Sequence, residues 1–421
     1  MASPILASAR PIVADGDVPV VLPRYFVAAL AGFMGMAAIS IDILLPAFPA
    51  IRRNFDLPSD STRVSLLITS FFFGMAGGQL FYGPMSDRYG RKKPMLVGLC
   101  IVVFAGLGTI TAPSLAIMIA WRFLWGFGAA GPRSLTLAMI RDTAEGDSMA
   151  RTLSFIMAIF VVIPIVGPVV ASLLLHLGSW RIVFGMPILF AAWMLFVLTK
   201  MPETLPASSR RSVGPSALWD AVRAVFRTRA TVGYGLAVIF YFGVMSSYIG
   251  GAEVIFDDVY GRGSQFPVIF GVIAICFGGA SFLNGRVVSR FGLERVLQIG
   301  CLAAVAGTGV LLVAVLGFHG KPPVGLFIAT LALMLPCVSG MVPNCNTAAM
   351  APLPHVAGMA TAVLGTTATA GGAVLGATSN RAFHGSAMPF AVFAFVFTVC
   401  SAVSILVISR PNGRDRSVTG R

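Results

Sequence analysis

Long apolar segments alternate with short polar ones along most of this chain. Twelve runs approach the length of about 20 residues that spans a bilayer as a helix. We place them at residues 25–48, 62–83, 95–112, 115–140, 152–176, 182–200, 231–254, 265–287, 295–317, 324–350, 357–379 and 387–409. Because lipid offers the backbone no hydrogen-bonding partner, such segments cross a membrane as helices. The pattern predicts an all-α membrane protein with twelve transmembrane helices.

A charged segment after the second run recurs, in weaker form, in the second half of the chain. We expect each copy to form a loop joining two helices. The matching positions are Gly83 with Gly285, Arg88 with Arg290, and Gly90 with Gly292. The repeat predicts two pseudo-symmetric halves of six helices, an architecture in which transporters rock about a central site.

A segment rich in Ser, Pro and Arg divides the two halves. We predict a disordered cytoplasmic tail at 1–23, a six-helix bundle at 24–200, a cytoplasmic linker at 201–229, a second bundle at 230–409 and a cytoplasmic tail at 410–421. Within the linker, Trp219 to Phe226 predict an amphipathic helix on the membrane surface. Asp15 and Asp17 interrupt the first 20 residues, so we expect no cleaved signal peptide.

Composition and charge support this topology. The chain is 57% hydrophobic and 11% charged, against about 25% charged in a soluble domain. Of its 30 lysines and arginines, 21 fall on the side that holds both termini and seven on the other. The positive-inside rule therefore predicts cytoplasmic termini. It also explains the net charge of +14 better than nucleic-acid or phosphate binding does.

Asp42 is an acidic residue inside the first apolar run. A charge at the bilayer centre costs about 2.5–3.5 kcal/mol, so it normally faces a cavity or a partner. Burial favours the neutral form of a carboxyl group and a nearby cation favours the charged form. We place Asp42 in the outer half of the span and favour a role in proton transfer. The alternative is a solvated carboxylate at the outer end of the helix.

Two arginines lie in the fourth run. Arg122 and Arg133 are eleven residues apart, about three helical turns, so they share a face. Buried cations require carboxylates or polar substrate groups to offset them. Arg122 could instead reach the outer surface. Gly126 and its neighbours would allow another helix to approach closely.

Two further polar residues interrupt apolar runs in the second half. Glu253 lies near the outer end of the seventh span, where a functional and an exposed position are equally compatible with the sequence. Asn346, close to Pro343 and Asn344 in the tenth span, suggests the lining of a cavity. The six cysteines form no CxxC pair, and we interpret them as packing residues. We expect no metal site.

The charged segment also suggests a conformational switch. Asp87 and Arg91 either form a solvated turn or belong to an interdomain latch, in which Arg91 pairs with Asp142 at the inner end of the fourth span. Ion pairs at a wet surface contribute only about 0–1 kcal/mol, which suits a contact that opens and closes. In the fifth run, Gly167 and Pro168 indicate either an ordinary kink or a bent, tightly packed gate.

These motifs resemble the major facilitator superfamily, and within it the bicyclomycin/chloramphenicol-resistance type of drug/proton antiporter. The resemblance covers residues 25–409. Residues 83–92 are similar to the loop signature G-x-x-x-D-R-x-G-R-K. Asp42-Ile43-Leu44-Leu45-Pro46 resembles the D-M-Y-L-P stretch of the subfamily, Gly167-Pro168 the fifth-span antiporter motif, and Pro202-Glu203-Thr204 the usual end of the sixth span.

The resemblance implies the major facilitator fold and roles for particular residues. It implies that Asp42 handles protons and substrate and that Arg122 takes part in proton coupling. This chain departs from the pattern at several positions. Trp125 stands where the fourth-span motif usually has Gln, and Leu137 where the subfamily often has Arg. Met34 stands where some relatives have a second acid.

We therefore expect a proton-coupled multidrug exporter in the bacterial inner membrane. It would exchange protons for small, largely apolar antibiotic-like compounds by alternating access. We expect it to use the proton motive force without a cofactor, to contact lipid but no nucleic acid, and to act as a monomer. Proton-driven transport of a metabolite on the same fold is the main alternative. A sensor or scaffold would need a soluble output domain, and we see no room for one between the apolar runs. We find no set of catalytic residues that would indicate an enzyme.

Overall fold

The computed structural model describes residues 12–13, 19–20, 22–23, 25–210 and 215–409. Within these ranges the chain forms fourteen α-helices. They are α1 (Phe26–Asp42), α2 (Phe48–Asn54), α3 (Leu66–Tyr89), α4 (Lys92–Ile110), α5 (Leu115–Thr143), α6 (Gly146–His176), α7 (Trp180–Thr199), α8 (Pro215–Arg227), α9 (Arg229–Val254), α10 (Phe266–Phe291), α11 (Leu293–Gly317), α12 (Val324–Met350), α13 (Ala357–Arg381) and α14 (Met388–Val403).

The prediction of twelve membrane-spanning helices is confirmed for the described residues. A 3₁₀ turn at Leu45–Ala47 joins α1 and α2 into one span, and α8 is the helix that does not span. Six spans precede α8 and six follow it. Several spans are longer than expected: the first continues to Asn54, and the seventh to Val259 through a π-helical turn at Ile255–Val259.

The charged segment at residues 83–92 is mostly helix, so the expectation of a loop is wrong there. Helix α3 continues to Tyr89 and α4 begins at Lys92. Gly90 makes the turn with a φ of +88°, and Gly292 makes the corresponding turn after α10 with a φ of +81°. Each glycine amide donates to the carbonyl oxygen four residues earlier. The predicted internal repeat is therefore present in the backbone of each half.

Helix α6 runs without a break from Gly146 to His176, across both Pro164 and Pro168. The prolines therefore do not end the helix, and the kink or gate expected at Gly167 and Pro168 stays a prediction. Serines set the starts of two other helices: Ser114 Oγ accepts from the Ile117 amide and Ser179 Oγ accepts from the Arg181 amide. Such caps satisfy amides that have no partner within the helix.

The helices group into two compact units. The first comprises residues up to 59 and 70–214, and the second comprises 60–69 and the chain from 215 onward. The predicted linker is therefore divided, with its first part in the first unit and α8 in the second. In the N-terminal segment, expected to be disordered, Ile12–Val13 pairs antiparallel with Pro19–Val20. Residues 211–214 and 410–421 of the predicted linker and tail lie outside the described residues.

Close helix contact in the first unit depends on small residues, as the glycines of the fourth apolar run predicted. A Cβ atom on Gly98 of α4 would lie 2.8 Å from the carbonyl oxygen of Gly128, and one on Gly128 would lie 2.7 Å from that of Gly98. Larger side chains would therefore force α4 and α5 apart. Membrane helices lack a hydrophobic driving force toward one another, so this close packing contributes much of their association.

Candidate functional site

Asp42 is the last residue of α1, a helix of 17 residues, within a first span of 29 residues. It is the 17th residue of that span and so lies just past the midpoint counted from the amino-terminal end, in the half of the span where the sequence placed it. The residue is only 5% exposed. A permanently solvated carboxylate at the outer end, the alternative interpretation, is therefore wrong.

The motif Gly167-Pro168 lies beside Asp42. Both residues are buried, and a Cβ atom on Gly167 would lie 3.8 Å from the Cβ of Asp42 and 3.9 Å from the Ile43 amide nitrogen. A methyl group at this position would make ordinary van der Waals contact, so α6 passes close to the end of α1 without requiring glycine there. Two motifs 125 positions apart in the sequence are brought together on one side of the first unit.

Arg122 of α5 is completely buried, so the alternative in which it reaches the outer surface is wrong. Its Nη2 donates to the carbonyl oxygen of Ser40 at 3.0 Å. Its guanidinium carbon also lies 4.7 Å from the ring centroid of Phe71 and 5.1 Å from that of Trp125. Desolvated cation–π contacts contribute about 2 kcal/mol, and a hydrogen bond to a charged group about 1.5–3 kcal/mol.

Trp125 links the same two helices through its indole. Its Nε1 donates to Ser40 Oγ at 3.1 Å, and that hydroxyl donates to the Met36 carbonyl oxygen at 2.7 Å. The two α5 side chains therefore hold the turn of α1 that immediately precedes Asp42. Among the described residues there is no ion pair between Asp42 and Arg122. Arg122 is linked to the neighbourhood of Asp42 through the Ser40 carbonyl, two residues earlier in α1.

Arg133, expected on the same face of α5, has a different environment. It is partly exposed, and its Nη1 lies 3.6 Å from the sulfur atom of Met75 on α3. Arg122 instead contacts Ser40 of α1 and the ring of Phe71. The two arginines therefore do not share these partners.

In the second unit, Glu253 is only 2% exposed, so its alternative interpretation as an exposed residue is wrong. Asn346 of α12 is partly exposed and forms no hydrogen bond with a described side chain. The polar pair in this region is instead Asn344 with Asn284 of α10. Their amides exchange two hydrogen bonds, at 3.0 Å and 2.9 Å. The sequence indicated polar residues in this part of α12 but could not identify Asn284 of α10 as the partner of Asn344.

At the turn between α3 and α4, Arg91 organises a network of polar side chains. Its Nε donates to Asp142 Oδ2 at 2.9 Å, and its Nη1 donates to Asp87 Oδ1 at 2.7 Å and to Ser86 Oγ at 2.8 Å. Burial lowers the pKa of the guanidinium, but Asp142 and Asp87 outweigh burial, and the net pKa lies above its ordinary value. Arg91 therefore stays charged.

The expected contact between Arg91 and Asp142 is thus present, but it is not interdomain. Both residues belong to the first unit, where the contact joins the turn between α3 and α4 to the end of α5. Arg91 is 8% exposed, so a solvated turn is also wrong for this residue. Arg88 is exposed and stacks on Tyr89, at 5.1 Å, outside the network.

Glu203 completes the network and was missed as a site residue. Its carboxylate accepts from the amides of Arg91 at 2.8 Å, Lys92 at 3.1 Å, Thr204 at 3.0 Å and Leu205 at 3.1 Å. Thr204 Oγ1 donates to Asp142 Oδ2 at 3.1 Å. The segment after α7 is therefore fastened to the start of α4. The motif Pro202-Glu203-Thr204 was the available signal, but it marked only the end of a span.

Comparison with known proteins assigns this architecture to a family. The chain belongs to the Major Facilitator Superfamily, whose family model matches residues 28–377. It is 31% identical over 348 residues to the uncharacterized MFS-type transporter YdgK of Bacillus subtilis, covering 80% of this chain and 85% of that protein. The family consists of transporters, and the expectation that the chain is not an enzyme is confirmed.

A second relative and a solved structure extend this assignment. The bicyclomycin resistance protein homolog of Haemophilus influenzae is 27% identical over 387 residues, with 90% of this chain and 94% of that protein covered. The resemblance to drug-resistance transporters is therefore confirmed. The crystal structure of a D-xylose-proton symporter matches with a TM-score of 0.74 at 16% identity, over 91% of this chain and 98% of that one. This likeness confirms the major facilitator fold.

Gly90→Ala is predicted to lower the thermal unfolding midpoint of the protein in detergent. The left-handed backbone conformation is about 1–2 kcal/mol less favourable for a residue with a side chain than for glycine. The new Cβ would also lie 2.5 Å from Glu203 Oε2. Gly83→Ala is the matched control, because no atom lies within 4 Å of its Cβ position and alanine favours the helix. Equal midpoints for the two variants would contradict this account of Gly90.

Ser40→Ala is predicted to reduce stability because it removes the acceptor of the Trp125 indole. We expect a loss of about 1 kcal/mol in the free energy of unfolding. Thr109→Val is the control, since Thr109 is equally buried and its hydroxyl bonds only within its own helix, to Ala105. Thermal unfolding of both variants measures the difference. An equal loss of stability in the two variants would contradict a stabilising contribution from the hydrogen bond between Trp125 and Ser40.

Proposed function

We propose that this protein is a proton-coupled exporter of small, largely apolar antibiotic-like compounds in the bacterial inner membrane. It alternates between inward-open and outward-open states, and protons moving down their gradient drive the compound out. Asp42 is the residue that binds and releases the proton. Asp42 near the middle of its span, buried against Gly167, is the observation that carries the proposal.

Coupling requires that the proton and the substrate favour different states, since a ligand shifts an equilibrium only by its differential affinity. A carboxyl group is suited to this when its surroundings change during the cycle. Asp42 ends helix α1, and the chain continues through a turn and a 3₁₀ segment rather than a regular helix. Movement of α6 along α1 at Gly167 would change what surrounds the carboxyl group without breaking an ion pair to Arg122.

The substrate class is supported by a relative and by composition. A relative covering nearly the whole chain bears the name bicyclomycin resistance protein homolog. The chain contains 19 methionines and 32 phenylalanines, side chains that form adaptable apolar surfaces. A proton-driven metabolite transporter is the alternative on this fold. The D-xylose-proton symporter shows that the architecture serves sugars as well, and fold does not fix the substrate.

Asp42→Asn is predicted to abolish proton-driven export while the protein is still produced and inserted. Asparagine keeps the size of the side chain but cannot carry a proton. The measurement is accumulation of a panel of antibiotics in everted membrane vesicles energised by a proton gradient. The control is Asp56→Asn, because Asp56 is exposed and has a φ of +51° that asparagine also tolerates.

Full export by the Asp42→Asn variant would remove Asp42 from the mechanism. Export by the original chain that persists after the proton gradient is collapsed would instead remove proton coupling. Uptake of a sugar or another metabolite, with no effect of any antibiotic in the panel, would favour the alternative function.

Arg91→Ala is predicted to slow the transport cycle more than it weakens substrate binding. The substitution leaves Asp142 and Asp87 without their shared cation, which disturbs the inner ends of α3 and α5. Turnover and half-saturating concentration in proteoliposomes separate the two effects. Arg88→Ala is the control, since Arg88 is exposed and outside the network. Unchanged turnover in the Arg91 variant would exclude this network from the conformational cycle.

A further inference from the structure

Helix α8 carries two large aromatic side chains that the second unit leaves uncovered. Trp219 is 68% exposed and Phe226 is 62% exposed. Seven residues separate them, about two helical turns, so they lie on the same face. Rings of this size each bury about 150–250 Å² when they are covered. This face therefore has a large apolar area available to a partner.

The neighbouring face of α8 is already packed within the second unit. Ala221 and Val225, four residues apart, are 0% and 3% exposed. At about 100° per residue, the apolar sector continues from these residues through Val222 to Phe226 and Trp219. The protein covers only one side of that sector.

Arginine residues border the uncovered part of the sector. Arg223 and Arg227 are both exposed and follow Trp219 around the helix, and one acidic residue, Asp220, lies on the same side. The guanidinium group forms bidentate hydrogen bonds with phosphate. An apolar face bordered by arginines matches the boundary between acyl chains and anionic headgroups.

The position of α8 along the chain places it at the membrane surface. It ends at Arg227, and α9, a membrane-spanning helix, begins at Arg229. Thr228 is the single residue between them, and it is hydrogen-bonded to both helices. Its hydroxyl donates to the Ala224 carbonyl oxygen at 2.8 Å, and its carbonyl oxygen accepts from the Val232 amide at 2.9 Å. The last turn of α8 is therefore held where the span meets the headgroups.

We propose that this face, formed by Trp219, Val222, Arg223, Phe226 and Arg227, binds the anionic phospholipid surface of the cytoplasmic leaflet. Trp219 and Phe226 lie at the boundary between acyl chains and headgroups, and Arg223 and Arg227 contact lipid phosphates. The proposal is independent of the transported compound and of Asp42.

The test uses the full-length protein in lipid nanodiscs. The chain has five tryptophans, so the Trp219 signal is the fluorescence difference between the protein and its Trp219→Phe variant. Acyl-chain-brominated phosphatidylglycerol or phosphatidylcholine, at the same mole fraction in a phosphatidylcholine bilayer, serves as the quencher. We expect both lipids to quench Trp219. The anionic lipid should be enriched about fivefold for each arginine that engages it.

Two variants identify the arginine involved. Arg223→Gln should reduce the preference for brominated phosphatidylglycerol about fivefold. Arg295→Gln should leave it unchanged, because this exposed arginine lies two spans later, on the same side of the membrane, in the first turn of α11.

Three results would overturn the proposal. An unquenched Trp219 signal with both lipids would mean that water or protein covers the face. Equal quenching by the two lipids would exclude recognition of anionic headgroups. A loss of preference in Arg295→Gln equal to that in Arg223→Gln would assign the effect to total charge rather than to α8.

Discussion

The cost of placing ionisable side chains inside a membrane constrains the first unit most strongly. An arginine at the centre of a span costs about 2.5–3.5 kcal/mol on insertion scales, and Arg122, the eighth of 29 residues in its span, is completely buried. Its hydrogen bond to a backbone carbonyl and its contacts with two aromatic faces offset a cost of that size. These partners come from α1, α3 and α5, so the arrangement that accommodates the arginine also fixes those helices relative to one another. Asp42 lies two residues beyond the anchored carbonyl of Ser40.

This arrangement separates the anchoring of α1 from Asp42, the residue proposed to carry the proton. On α1, Arg122 and Trp125 bind Ser40, and the Cβ of Asp42 lies 3.8 Å from the Cβ position of Gly167 on α6. In the proposed cycle, a carboxyl group held in a direct ion pair would have to break that pair each time it binds a proton. Here neighbouring residues anchor the helix, which is compatible with the role proposed for Asp42. The network around Arg91 and Glu203 is a second polar contact within the same unit, made of several charge-assisted hydrogen bonds.

The sequence predicted the architecture well because hydropathy and length determine membrane spans. All twelve spans were located, and the errors fell at ends such as residues 83–89, where the helix continues past the apolar run into charged residues. Single residues that are expensive to bury, such as Asp42 and Arg122, were also identifiable. The residues that contact them could not be identified in the same way. Ser40, Trp125 and Glu203 do not stand out in their sequence surroundings, because their contacts arise only through tertiary packing. The pairing of Asn284 with Asn344 likewise depends on the register of two helices that are not adjacent in the sequence.

The most direct test of the central claim is proton release by the purified protein when substrate is added. In weakly buffered detergent solution, a pH indicator should report protons released by the protein on addition of a transported antibiotic. The Asp42→Asn variant should bind the same compound and release none. Equal proton release from the two proteins would show that another group carries the proton, and would contradict the role assigned here to the buried end of α1.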